Sequence, residues 1–276
     1  MRLRFWLLLS SLAVGSLLIS RPVQGAQVVK GSFLTTSRSI KTANGPKTVK
    51  LTIPKKTTTL VAGIKYVHGK KYVSLNLNRL HYQLRKPLLT SQNHSRVSHW
   101  ILATGKNFKK ATEPTYLKYY SLTRHYPTQQ LRTYIASGDL WLGQSLPADY
   151  DQVTGTRVTI TTDGYLEFFK QSAYHYQVSP KPNQLLKIQK SVLNQKSRQL
   201  RLYFKTRLST LPMTKVAAKG ANRYRLIITR TGETTATAIP NSDQATQVIL
   251  NEIYQLGKTT YYMAIESARF LGGNES

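Results

Sequence analysis

The segment Leu60 to Leu77, LVAGIKYVHGKKYVSLNL, constrains this chain more than any other stretch. His68-Gly69 reads as a two-residue turn, with Gly supplying the positive φ that a tight hairpin needs. Folding about that pair sets Ile64 opposite Val73, Ala62 opposite Leu75 and Leu60 opposite Leu77. Side chains alternate along a strand, so these six share one face. Lys65, Val67, Lys70, Tyr72, Ser74 and Asn76 share the other. One apolar face and one basic, tyrosine-bearing face specify an architecture, and they specify no reaction.

Arg157 to Phe169, RVTITTDGYLEFF, is the second strong hairpin. A three-residue turn Thr162-Asp163-Gly164, with Gly164 in the left-handed region, pairs Val158 with Phe168 and Ile160 with Leu166. Leu185–Val192 and Gln199–Phe204 predict a third hairpin about Asn194 to Ser197. Further strands are expected over Val49–Ile53, Leu80–Leu84, His99–Ala103, Tyr116–Leu122, Tyr224–Thr229 and Tyr261–Ile265. Gln27 to Pro46 reads as a polar arm, and Thr128 to Val153 as a long connection. One amphipathic helix is expected over 242–256. Asn241 would cap it, Ala245, Val248, Ile249, Ile253 and Leu256 would form its stripe, and Gly257 would end it. The fold class is therefore mainly β: antiparallel hairpins in one or two small barrel or sandwich units, plus that helix. The first acidic residue, Glu113, marks a boundary between a basic β module over 26–112 and a β-rich module over 113–276.

Residues 1–25 read as a cleaved signal peptide. Arg2 and Arg4 form its charged start, Phe5 to Ile19 its apolar core, and cleavage is expected after Gly25 or Ala26. This fifteen-residue stretch, broken only by small residues, falls short of the roughly 20 apolar residues that span a bilayer. The chain has no cysteine, which excludes disulfides, thiolate metal sites and cysteine nucleophiles. Export without disulfides suggests a Gram-positive source and a secreted or cell-wall location.

The formal net charge is +29. Losing residues 1–25 removes Arg2, Arg4 and Arg21, leaving 37 basic against 11 acidic residues, or +26. No acid precedes Glu113, and none lies between Phe168 and Gly232, where 14 basic residues fall. Asp139, Asp149, Asp151, Asp163 and Glu167 instead cluster with Arg157 as the sole opposing charge. The bases alternate with apolar residues, which marks folded basic surfaces and not a disordered tail.

Chemistry is harder to find. The six histidines, His68, His81, His94, His99, His125 and His175, show no metal-ligand spacing. Gly143-Gln144-Ser145-Leu146-Pro147 fails the nucleophile-elbow pattern at its last position. Glu167 with a nearby Asp is the only pair that would serve a glycosidase, yet Asp163 reads as a turn residue and Glu167 as an exposed strand residue. No cofactor is implied. Binding fares better, because cations beside rings suit phosphate-bearing polymers. Lys65, Lys70, Lys71 and Tyr72 form one such group; Arg198, Arg201, Tyr203, Lys205, Arg223 and Arg225 form the other.

The signal peptide, Tyr66 to Leu84 with its GKKYVSLNL run, and Thr156 to Phe169 with TRVTITTDGYLEFF resemble exported, cysteine-free, Lys/Thr/Tyr-rich proteins of lactic-acid bacteria. The resemblance implies residence at or outside the cell wall and supplies no functional residues. The expected partners are anionic cell-wall polymers such as teichoic acid, or acidic glycans. An anionic membrane surface and non-specific nucleic acid fit the same charge. An adhesin for host glycans and a wall-polymer hydrolase using Glu167 are the alternatives.

Overall fold

A computed structural model describes residues 28–44, 47, 49–90, 99–120, 132–134, 138–143, 154–173, 179–240 and 245–271. The expected signal peptide lies outside them. The first half holds strands β1 (Phe33–Thr36), β2 (Ile40–Ala43), β3 (Lys50–Ile53), β4 (Thr58–Val67), β5 (Lys70–Leu75), β6 (Trp100–Leu102) and β7 (Phe108–Ala111), with one short helix, α1 (Tyr82–Arg85). The rest holds β8 (Arg132–Tyr134), β9 (Asp139–Leu142), β10 (Thr154–Ile160), β11 (Tyr165–Ala173), β12 (Gln184–Lys187), β13 (Lys190–Asn194), β14 (Gln199–Phe204), β15 (Thr214–Lys215), β16 (Tyr224–Pro240), β17 (Ala245–Leu256) and β18 (Thr259–Leu271). The molecule is mainly β, as the hairpin pattern requires.

The His68-Gly69 turn forms with both residues at positive φ, 48° and 71°, the requirement of a type I′ turn. Ile64 pairs with Val73, Lys65 with Tyr72 and Val67 with Lys70. Further along, a bulge at Ala62 sets Val61, not Ala62, against Leu75. The extra residue reverses the alternation. Val61 is therefore buried with Val73, Leu75 and Ile101, while Leu60 turns to the opposite face beside its partner Phe33. The first sheet runs β6-β5-β4-β1-β7, with β2 and β3 as a separate ribbon over the same core.

The second sheet follows the path β12-β11-β10-β9-β18-β17-β16-β14-β13. Its two terminal strands are consecutive in the chain, separated only by Ile188 and Gln189. Two residues span little distance, so the sheet must curl until its ends meet at that corner. It forms a half-barrel. Leu140, Val158, Ile160, Leu202, Phe204, Leu226, Tyr254 and Met263 fill the inside. Phe33, Leu60 and Ala111 from the first sheet, and Leu117, Tyr119 and Tyr120 from the segment after it, pack into this same core.

Several expected elements take another form. Residues 245–256 are a strand and not a helix, because the chain on both sides offers them long antiparallel partners. The Gly257 expected to cap a helix instead opens the two-residue turn to β18, at φ 64°. A bulge after Leu250 lets the apolar spacing look helical, while Asn251 and Glu252, polar in a helical reading, are buried. Leu80–Leu84 is no strand: it runs into α1, whose single turn aims the Tyr82 amide at the Glu167 carboxylate (2.7 Å). Tyr116–Leu122 is no strand among its described residues. A helical turn over Thr115–Leu117 follows Pro114, and the tyrosines are held by hydroxyl bonds, Tyr116 to the Thr162 carbonyl and Tyr119 to that of Gly138.

Leu185–Val192 divides between two partners. β12 pairs with β11, and β13 forms the expected turn with β14, Asn194 facing Gln199. The polar arm contains β1 and β2, with Phe33 and Leu34 buried. The Arg157–Phe169 hairpin has the expected register, Val158 against Phe168 and Ile160 against Leu166, with Gly164 at φ 84°.

Candidate polyanion-binding surfaces

On the hairpin, Lys65, Lys70 and Tyr72 share one face, since Lys65 lies opposite Tyr72 and Val67 opposite Lys70. Lys71 points to the other side, beside its partner Tyr66, with its ammonium 6.0 Å from that ring. The Lys65 ammonium sits 4.6 Å from the Trp100 ring. Trp100 belongs to β6 and pairs with Ser74. Such a cation–π contact orients the amine while leaving its protons free for an anion.

The second group gathers on the half-barrel. Leu200, Leu202 and Phe204 point inward along β14, so Arg201 and Tyr203 point outward between them. Lys190, Tyr203 and Arg225 form a single row across β13, β14 and β16, and the adjacent row is Val192, Arg201 and Ile227. The Lys190 ammonium lies 5.7 Å from the Tyr203 ring, and the Arg223 guanidinium 5.5 Å from that of Tyr224. Lys205 follows β14 and is exposed. Arg198 is set apart: its Nη1 donates to the Thr231 carbonyl (3.1 Å), tying it to the bulge in β16. The Nε–H groups of Arg201, Arg223 and Arg225 are covered from solvent and have no hydrogen-bond partner among the described residues. Among the described residues no carboxylate pairs with these arginines. Lys190 was missed by composition and found by register; the turn at Asn194 alone determines that it faces Tyr203.

Asp139, Asp163, Glu167 and Glu252 are spent elsewhere. Asp139 lies 3.3 Å from both Arg79 and Arg157. Glu167 is fully buried, and Nη1 of Arg85 is 2.8 Å from each of its oxygens. Glu167 is thus an internal counterion and not the exposed strand residue that its sequence suggested. Arg85 further donates to the carbonyls of Leu80, Ser179 and Pro180. Arg157 lies 4.0 Å over the Phe169 ring, and burial pulls its pKa down despite Asp139. Asp163 sits in the expected turn and bonds the His81 ring and amide. Asp149 and Asp151 lie outside the described residues.

No protein-family model, curated protein or solved structure matches this chain. The function therefore rests on the geometry. Among the described residues no three His, Asp or Glu side chains are grouped to hold a metal, and no helix is long and apolar enough to cross a membrane. A pocket of about 410 Å³ opens over β2 and β3, lined by Lys41, Lys47 and Lys50 together with Ala43 and Leu51. It adds three cations to the stretch before Glu113, which has no acid.

Proposed function

We propose that this is an exported, non-enzymatic protein that binds anionic polymers of the cell envelope, of teichoic-acid type, through the outward face of β13, β14 and β16. The observation that carries this reading is the outward-facing group of Lys190, Arg201, Arg223 and Arg225, with which no carboxylate pairs among the described residues. Phosphate oxygens arriving from outside would meet the outer nitrogens of these half-buried guanidiniums with charge-assisted bonds. Lys190 and Lys205 extend the row, and Tyr203 offers a ring for stacking on sugar. The internal use of Asp139, Asp163 and Glu167 supports the same reading, since these three acids are held within the fold and do not neutralise the outer cations. It also removes Glu167 from the hydrolase alternative, because a side chain with 0% exposure reaches no substrate.

The test is binding of the purified protein to walls before and after extraction of teichoic acids, over a salt series. Binding is expected to need the polymer and to weaken steeply as salt rises. Arg201→Gln, Arg223→Gln and Arg225→Gln together should weaken it by roughly tenfold or more, about 1.4 kcal/mol. Equal binding to extracted walls would overturn the reading.

A further inference from the structure

We propose that the tip of the β4–β5 hairpin is an insertion element for an anionic phospholipid surface, distinct from the arginine face in residues and in sheet. The tip displays two large apolar side chains to water, Tyr66 at 63% and Val67 at 38% exposure. Val29, 51% exposed, lies in the segment that Lys71 ties to the tip by donating to the Val28 carbonyl. An apolar apex costs solubility and adds nothing to the hairpin's own core, which ends at Ile64 and Val73. A soluble polyanion gives Val67 no partner. A bilayer gives it one.

The surrounding charge selects the kind of bilayer. Lys65, Lys70 and Lys71 flank the apex, and no acidic residue occurs in the chain before Glu113. Each lysine near an anionic leaflet adds about 1 kcal/mol of attraction. Tyrosine is the side chain suited to the headgroup level, with its ring buried and its hydroxyl wet. Stiffness also favours insertion: the type I′ turn and the paired Val67 and Lys70 hold the tip in shape before contact, so little ordering cost remains to be met on binding.

The experiment uses the full chain and vesicles of phosphatidylglycerol mixed with phosphatidylcholine, against vesicles of phosphatidylcholine alone. Co-sedimentation is expected only with the anionic vesicles. Replacing both apolar residues, Tyr66→Ser with Val67→Ser, keeps every charge and should weaken partitioning by about tenfold, the order expected for withdrawing one ring and one isopropyl group from an apolar medium. Tyr66→Trp should show a blue-shifted emission on vesicle binding and quenching by lipids with brominated chains. Both substitutions fall on exposed side chains, so unchanged thermal unfolding of the free variants is expected. Equal partitioning of the Tyr66→Ser, Val67→Ser variant, or a Tyr66→Trp variant whose emission neither shifts nor is quenched on anionic vesicles, would overturn the proposal. Either result would leave the arginine face untouched, because that face is tested on walls and by its own substitutions.

Discussion

Both ring nitrogens of His99 are buried without a hydrogen-bond partner among the described residues. Burial pushes its pKa below the ordinary 6.5, because a charge placed there loses its water and gains no counterion. The unfolded chain then takes up a proton at this residue before the folded one does. Stability is fully present above about pH 6.5, falls as the pH drops through that value, and levels off below the folded-state pKa. Replacing the ring by a neutral one, His99→Phe, should remove this component. Urea unfolding at pH 7.5 and 5.5 measures it: the wild type is expected to lose more stability between the two than the variant does. Equal losses would show that His99 finds a partner for its charge. Nothing in the residues flanking His99 distinguishes a buried histidine from an exposed one, so its burial was not legible in the sequence.

Turns between neighbouring strands were legible because their chemistry is local. Gly69 and Gly164 both occupy the left-handed positions that their turns demand. The same locality hid the last hairpin. Gly257 fits equally a helix end and a turn, and only the long partners on either side decide for the turn. The two hairpin glycines now make a controlled comparison. A Cβ on Gly69 would meet nothing within 4 Å, whereas one on Gly257 would lie 2.8 Å from Pro212. Gly69→Ala therefore carries only the backbone cost of a left-handed L-residue, about 1–2 kcal/mol. Gly257→Ala adds a steric clash with a rigid ring and should cost clearly more. Thermal denaturation of the two variants checks the order, and a larger loss at Gly69 would contradict the packing described for the β17–β18 turn.

What no local pattern carried is the joining of the two sheets. The first sheet buries one face in its own core, yet Phe33, Leu60 and Ala111 belong to the core of the half-barrel. Arg79 and Arg85, which follow the first hairpin, find their counterions Asp139 and Glu167 some sixty to eighty residues later. The sequence placed acids in one segment and bases in another; which arginine meets which carboxylate is decided by the fold. Removing one side of a buried pair strands the other in a low-dielectric interior, typically at 3–5 kcal/mol. Shared apolar residues and these ion pairs leave neither sheet complete without the other. Calorimetry should accordingly record one transition for the whole chain. Glu167→Gln should move that transition down as a unit, by roughly 3 kcal/mol at its midpoint, because Arg85 comes from the first half and Glu167 from the second. Two separate transitions, or a Glu167→Gln effect confined to part of the unfolding signal, would mean that the sheets fold independently and merely touch.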